Sequence, residues 1–148
     1  MKPWVLLRVA SILTLVHSVM HTMGGVFGKT PAGSAGVAVA AMQANHFAFM
    51  GAMRSYWDFQ RGLGLAVTLF LTAEGVVFWM LASLAKEDAR ALRPILVTFF
   101  FAYVAFAIVS MRYFFLLAAV MELVIALLLG LACAGAKAGG ERKAAAGR

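Results

Sequence analysis

Charged residues are scarce in this chain. Only 13% of its 148 residues are charged and six are acidic, whereas 64% are hydrophobic and the mean hydropathy is +0.91. With so few polar side chains, a water-soluble fold could not cover its surface, whereas hydrocarbon around a bundle of helices removes that requirement. The composition therefore excludes an ordinary soluble domain and predicts an all-α integral membrane protein.

Several motifs that carry chemistry are also missing. The single cysteine, Cys133, excludes an intramolecular disulfide and a Cys-x-x-Cys motif, and it lies near the end of an apolar run, as a small core residue would. The sequence contains no glycine-rich nucleotide-binding motif and no serine nucleophile elbow. It also contains no Glu-x-x-His pair of the kind found in di-iron bundles. We therefore predict no cofactor.

The apolar residues form four runs, which predict a four-helix bundle within one membrane domain, 1–136. Crossing the hydrocarbon core takes a helix of about 20 residues. The predicted spans are 3–23, 62–85, 95–111 and 113–134. No glycine or proline separates the last two runs, but one helix over both would be roughly 60 Å long, about twice the thickness of the hydrocarbon. We therefore place a turn at Arg112.

The first run has a second interpretation, a cleaved signal peptide, because Lys2 and Arg8 precede an apolar stretch from Val9 to Met23. Two histidines interrupt that stretch, and no convincing small-x-small cleavage site follows it. We therefore favour an uncleaved helix that ends at the glycines after Met23.

Basic residues predict the orientation of the chain. With four spans, both termini and the loop 86–93 share one side, which collects nine Lys and Arg residues against four on the other. The positive-inside rule then predicts a multi-pass protein of the bacterial inner membrane with both termini in the cytoplasm. The tail, 137–148, is rich in Ala, Gly, Lys and Arg, and we predict that it is disordered and can rest on anionic lipid.

The longest segment between spans, 24–61, is not an ordinary polar loop. One apolar face is formed by residues at helical spacing: Met42, His46, Phe49, Met50 and Met53. We therefore predict a short interfacial or re-entrant helix over 37–53. The alternative is a fifth span, which would place the two termini on opposite sides and weaken the charge asymmetry.

The residues just before the second span form the most informative motif. Ser55 and Asp58 predict a helix that begins outside the membrane. Arg54, Asp58 and Arg61 follow one another at spacings of four and three, so Asp58 could bridge both arginines, and Trp57 could stack on a guanidinium. These residues are either interface anchors with an ion-pair lock or a site for an anionic head group, which would need a second, free arginine.

The run from Arg54 to Phe59 reads Arg-Ser-Tyr-Trp-Asp-Phe and precedes Gly62 and Gly64. It resembles a motif shared by small, uncharacterised bacterial membrane proteins of similar size, in which the motif stands before a glycine-containing span. The resemblance covers most of the chain. It implies the four-span architecture and no chemistry.

Four ionisable side chains lie inside the predicted spans, where they are costly and therefore candidates for function. His17 and His21 are one turn apart on the first helix, Glu74 is near the middle of the second span, and Glu122 lies among small residues of the fourth. Counted along the helices from the outer face, their depths run from about 3 Å for His21 to about 18 Å for Glu74. Together they predict a polar, outward-facing cavity. The alternative is a set of inter-helix hydrogen bonds, each worth roughly 1 kcal/mol.

We favour a non-enzymatic protein that binds a lipid or amphiphile in this cavity or acts as an accessory subunit. The predicted ligand-binding residues are the motif and the buried groups: Arg54, Trp57, Asp58, Arg61, His17, His21, Glu74 and Glu122. No metal site is predicted, since His17 and His21, one turn apart on one helix face, are only weak candidates for metal ligands. The predicted partners are membrane lipid and a homo-oligomer or larger membrane complex. Nucleic acid is excluded because the basic residues sit at the ends of apolar runs.

Two alternatives remain open. The first is a membrane enzyme that acts on an isoprenoid, sterol-like or quinone substrate, with Glu74 or Glu122 as the acid or base and His17 assisting. The second is a small proton-coupled transporter. The small multidrug exporters of four short spans carry their key acid in the first helix, where this chain has histidines, and that difference disfavours transport.

Overall fold

The fold was analysed in a computed structural model that describes residues 1–146, with side chains described for residues 1–136. Its elements, in chain order, are α1 Pro3–Met20, a π-helical turn His21–Val26, α2 Gly33–Ala44, β1 His46–Phe49, β2 Ala52–Ser55, α3 Tyr56–Asp88, α4 Arg93–Tyr113 and α5 Leu116–Ala146. The predicted all-α class is confirmed, and the two short strands are a minor addition. The predicted disordered tail, 137–148, lies outside the fully described residues.

Four helical segments of the described chain are long and apolar enough to cross a membrane. They are Pro3–Val26, Tyr56–Asp88, Arg93–Tyr113 and Leu116–Ala136. Each contains nearly all of one predicted apolar run, so the chain is a multi-pass membrane protein. At 33 residues, α3 is about 50 Å long and exceeds the hydrocarbon thickness of about 30 Å.

Local chemistry sets three ends of two of these helices, α3 and α4. Ser55 precedes the first residue of α3, as the predicted helix start requires. Pro94 occupies the first turn of α4, where a missing N–H costs nothing. At its other end α4 continues through Arg112 to Tyr113, and the turn falls on Phe114, whose N–H donates to the Ser110 carbonyl at 2.9 Å. The turn therefore comes slightly later than predicted.

The first helix ends among the glycines after Met23, at Val26, three residues beyond the predicted span. Its last residues form the π-helical turn His21–Val26, and the Phe27 N–H donates to the Thr22 carbonyl, five residues back, at 3.0 Å. Glycine lowers helix stability by about 1 kcal/mol but does not forbid helical backbone. The buried Val26 side chain explains why the turn forms, because it packs against Gly64.

The helix predicted over 37–53 is wrong in its second half. Helix α2 ends at Ala44, and β1 and β2 form an antiparallel hairpin in which Phe49 pairs with Ala52. The two residues between them, Met50 and Gly51, have φ of 49° and 86°. Positive φ at both positions is typical of a two-residue hairpin turn. At the second position the residue is Gly51, which adopts positive φ without a steric cost.

The chain divides into two compact units. The first consists of Met1–His17 and the chain from Thr72 onward, and the second of Ser18–Leu71. All four helices of the first unit contribute to its apolar core, whose fully or nearly fully buried members include Leu6, Leu7, Ala10, Phe78, Ala82, Leu96, Tyr103, Ile125 and Leu129. The Phe78 ring lies 5.0 Å from Phe99 and 5.9 Å from Tyr103, centroid to centroid. Aromatic packing thus joins α3 to α4.

Candidate functional site

A groove of about 330 Å³ lies in the first unit between α3 and α4. Its lining comprises one residue of α3 and five of α4: Glu74, Ala102, Tyr103, Ala105, Phe106 and Val109. Glu74 and Tyr103 are the polar members, and the other four side chains are apolar. The groove is therefore largely apolar, unlike the polar cavity predicted from the sequence.

The spacing of the α4 residues explains the shape of the groove. Ala102, Ala105 and Val109 follow one another at intervals of three and four, so they share one face of the helix. All three are exposed. The short alanine side chains leave open space beside α3, which the half-buried Glu74 side chain borders.

Hydrogen bonds fix one side of the Glu74 carboxyl. The Tyr103 hydroxyl donates to Glu74 Oε2 at 2.8 Å, and the Tyr103 oxygen lies 3.3 Å from Thr14 Oγ1. The Thr14 hydroxyl in turn donates to the Ala10 carbonyl at 2.9 Å. Among the described residues, Glu74 Oε1 has no hydrogen-bond partner and is not enclosed by protein. One carboxylate oxygen is therefore held in place and the other is available.

Glu122 has a different environment. It is 1% exposed, and the Ser110 hydroxyl donates to its Oε1 at 2.8 Å, which links α4 to α5. Its Oε2 is buried and lacks a hydrogen-bond partner in the described part of the chain. Ala119 and Ala126, at 0% and 2% exposure, let the helices approach closely, as their small size predicts. Glu122 thus forms an inter-helix hydrogen bond and does not line the groove.

The two histidines of α1 and its π-helical extension lie in different units. His17 is buried in the first unit, at 8% exposure. His21 is in the second, where its Nε2–H donates to the Gly64 carbonyl at 3.1 Å and ties the π-helical turn to α3. Within the described residues, no three His, Cys, Asp or Glu side chains lie close enough together to hold a metal ion.

The motif before the second span forms a helix cap. Asp58 Oδ2 accepts hydrogen bonds from the Ser55 N–H at 2.8 Å and from the Ser55 hydroxyl at 3.0 Å. The Asp58 N–H donates back to Ser55 Oγ at 3.2 Å. This reciprocal pair is a capping box, with Asp in the place of the more usual Glu. The helix start predicted from these two residues is confirmed.

The arginines of the motif do not join this cap. The Arg54 guanidinium donates to the Met53 carbonyl at 2.9 Å, and the Arg61 guanidinium lies 5.2 Å from the centre of the Phe27 ring. In the described chain neither arginine forms an ion pair with Asp58, since each guanidinium is turned to another group. Trp57 is half-buried and makes no ring contact among these residues. The ion-pair lock inferred from the spacing is therefore absent there.

No protein-family model, curated protein or solved structure matches this chain. Its function is therefore argued from its own residues. The sequence had indicated both acids but not their partners, Tyr103 and Ser110. The feature of the sequence that could have identified these partners is that each hydroxyl stands within an apolar span, where a polar group needs a hydrogen-bond partner.

Proposed function

We propose that the protein binds an amphiphile whose head group donates a hydrogen bond to Glu74. The observation that carries this proposal is the Glu74 carboxyl, with Oε2 held by Tyr103 and Oε1 without a partner among the described residues. A polar group left unpaired within a membrane span costs several kcal/mol. A hydroxyl or an amine of a ligand supplies the hydrogen that Oε1 can accept.

The remaining lining suits the apolar part of such a ligand. Ala102, Ala105, Phe106 and Val109 offer only apolar side-chain atoms, against which an acyl or isoprenoid chain gains dispersion contacts. The volume of about 330 Å³ is near the lower end of the range for small-molecule sites. The groove therefore fits one chain better than the two chains of a phospholipid.

The Glu74 carboxyl favours ligands whose head group donates a hydrogen bond over ligands with a carboxylate head group. Tyr103 is 2% exposed, and its hydroxyl contacts both Thr14 and Glu74, so the carboxyl that it holds has a fixed orientation. An amine is attracted to an ionised Glu74, whereas a second carboxylate is repelled, and both effects grow in a medium of low dielectric constant. We expect alcohols and amines to bind and fatty acids to be rejected.

Binding can be tested on the purified chain at pH 8 in lauryldimethylamine oxide, whose neutral head group has no hydrogen to donate, with dodecanol, dodecylamine and dodecanoate as probes and retention measured by native mass spectrometry. We expect the alcohol and the amine to be retained and the carboxylate to be lost. Glu74→Gln should weaken binding of the amine most, since it removes the charge but keeps the shape. Glu122→Gln is the matched control, because Glu122 is a buried acid outside the groove. Equal retention by the two variants would refute the assignment to Glu74.

A steric variant tests the groove without changing its carboxyl. Ala105→Trp places an indole among the lining residues, so it should abolish retention of all three probes. Ile108→Trp is the control, since Ile108 is on the same helix, is 65% exposed and does not line the groove. Unchanged binding to Ala105→Trp would show that the probes bind elsewhere.

A second candidate function, proton transfer to a bound substrate, is favoured by the chain of hydroxyls behind Glu74. Three close contacts join Ala10, Thr14, Tyr103 and Glu74, but Thr14 and Tyr103 together have two hydroxyl hydrogens. A proton on Glu74 would supply the third hydrogen: Glu74 would then donate to Tyr103, Tyr103 to Thr14 and Thr14 to Ala10, so that only the Tyr103–Glu74 bond changes direction. Such a carboxyl could act as the acid or base towards an isoprenoid, sterol-like or quinone substrate. Turnover that Tyr103→Phe slows without weakening substrate retention would support this function.

We further propose that the protein lies in a bacterial inner membrane with both termini in the cytoplasm. The excess of basic residues on the side of the termini and of the loop 86–93 supports this orientation. A fluorescent protein fused to the C-terminus should mature, whereas a fused periplasmic phosphatase should stay inactive. Membership of the group that shares the Arg54 to Phe59 motif, and assembly into a homo-oligomer or larger complex, are proposals that rest on the sequence.

A further inference from the structure

We propose that α1 and α3 form a second binding site in the first unit, which takes the phosphate group of an anionic phospholipid. The site is defined by two cations, two indoles and a hydroxyl at one end of this helix pair: Trp4, Arg8, Trp79, Ser83 and Lys86. These residues are separate from the groove that Glu74 borders. The inference therefore does not depend on amphiphile binding there.

In this helix pair, a cation of each helix lies over an indole ring of the other. The Arg8 guanidinium of α1 lies 3.5 Å from the centre of the Trp79 ring of α3, and its Nη2 donates to Ser83 Oγ at 3.0 Å. The Lys86 ammonium of α3 lies 5.1 Å from the centre of the Trp4 ring of α1. Each indole thus orients the cation of the opposite helix.

Both cations lack an anionic partner. Neither Arg8 nor Lys86 forms an ion pair among the described residues, and Arg8 Nη1 is shielded by protein without an acceptor there. Glu87 and Asp88, the nearest acids in sequence, form no ion pair with either cation among the described residues. Asp88 accepts the Arg90 and Ala91 N–H groups at 3.0 and 3.3 Å. A guanidinium in a membrane span is expected to have a partner. An oxyanion that bridges the exposed Lys86 ammonium and Arg8 Nη2, beside the exposed Ser83 hydroxyl, provides one without entering the protein.

The depth of the cluster identifies the source of that anion. Arg8 lies five residues after the start of α1 and Ser83 five residues before the end of α3. Both are therefore about 7.5 Å inside their helix ends, and tryptophans with basic residues near the ends of apolar spans are typical of the level of the lipid head groups. Ser83 and Lys86 are exposed, and Trp79 is 48% exposed, so a lipid beside the helices can reach them. Lipid phosphates are concentrated at this level.

The experiment compares phosphatidylglycerol with phosphatidylcholine of the same acyl chains, titrated into the detergent-solubilised full chain and counted by native mass spectrometry. We expect wild-type protein to retain the anionic lipid preferentially. Arg8→Gln and Lys86→Gln should each weaken its retention about fivefold, which corresponds to about 1 kcal/mol for one cation near a lipid surface. Arg8→Lys should fall between, since it keeps the charge but loses the planar donor edge.

Arg112→Gln is the matched control. Arg112 also lies over an aromatic ring, 5.4 Å from the centre of Tyr113, but it has no second cation beside it among the described residues. Its removal should change retention by less than about twofold. Circular dichroism checks that each variant is folded. If Arg8→Gln is not folded, lipid retention by Lys86→Gln, which replaces an exposed side chain, tests the proposal.

Three results would overturn the proposal. The first is equal retention of the two lipids by wild-type protein. The second is anionic-lipid retention by Arg8→Gln and Lys86→Gln that matches Arg112→Gln. The third is complete displacement of phosphatidylglycerol by millimolar inorganic phosphate, which would assign the site to the free anion.

Discussion

Replacing Gly75 by alanine should weaken the contact between α1 and α3. A Cβ built on Gly75 would lie 2.7 Å from both Cγ and Cδ2 of Leu15, about 0.7 Å inside the distance at which ordinary contact begins. The Gly75 carbonyl also accepts the Ser11 hydroxyl at 2.6 Å. Because Cγ is the branch point of the leucine, rotating its tip cannot relieve the clash, so the side chain or the helix must move.

The change in the free energy of unfolding is the sum of two effects that lower it and one that raises it. Overpacking costs about 1–3 kcal/mol, and weakening the buried Ser11 hydrogen bond adds up to about 1 kcal/mol. Alanine returns about 0.5–1 kcal/mol through its higher helix propensity. These contributions sum to between about 0 and about 3.5 kcal/mol, and from the middle of each range we expect Gly75→Ala to lower the free energy of unfolding by about 2 kcal/mol.

Gly62→Ala is the matched control. Gly62 is on the same helix, but its added Cβ would meet no atom within 4 Å, so only the propensity gain of about 0.5–1 kcal/mol applies. Unfolding by sodium dodecyl sulfate, followed by circular dichroism, should separate the two variants in opposite directions from wild type. In a Leu15→Ala background, Gly75→Ala should lower the free energy of unfolding by less, because the Cγ and Cδ2 atoms that the added Cβ would contact are absent. If the two glycine variants unfold at the same detergent fraction, the close-contact reasoning is refuted.

Three further substitutions have defined costs. Ser55→Ala removes the helix cap and should cost about 1 kcal/mol of unfolding free energy, whereas Ser55→Thr should retain most of it. Gly51→Val forces a branched residue to φ of 86° and should cost at least about 1–2 kcal/mol, seen as faster hydrogen exchange in the hairpin. Ser110→Ala leaves both oxygens of Glu122 unpaired and should cost about 1–3 kcal/mol, while the exposed Thr98→Ala should change stability by less than about 0.5 kcal/mol. Unchanged detergent midpoints for Ser55→Ala or Ser110→Ala would contradict these assignments.

The parts of the fold that depend on near neighbours in sequence could be predicted. Apolar run length identified the spans, and the Ser55 and Asp58 pair located the start of α3. The hairpin could not be predicted in this way, because Phe49 and Met53 fit helical spacing whereas Phe47 and Phe49 fit the alternation of a strand. The turn decides between them, since Met50 and Gly51 adopt positive φ. The packing of both phenylalanines against Phe59, stacked for Phe47 at 6.2 Å and edge-to-face for Phe49 at 5.1 Å between centroids, then favours the strand.

The candidate site was predictable only in part, for a related reason. Composition alone identifies Glu74 and Glu122, since acids in apolar spans are rare. Their partners lie 29 and 12 residues away along the chain, at Tyr103 and Ser110. Which hydroxyl meets which acid depends on which helices are neighbours and how they are rotated, and hydrophobic run length carries no information about either.

The alanines near the two acids explain why Glu122 is enclosed by helices and Glu74 is not. Ala119 and Ala126 are buried, so α4 and α5 close around Glu122 and leave it one hydroxyl as a partner. Ala102 and Ala105 are exposed, so the same small side chain leaves open space beside Glu74. A small residue thus gives close packing where a second helix reaches it and a groove where none does. We therefore predict that removing the Glu122 carboxyl lowers stability, whereas removing the Glu74 carboxyl weakens the amphiphile binding proposed for the groove.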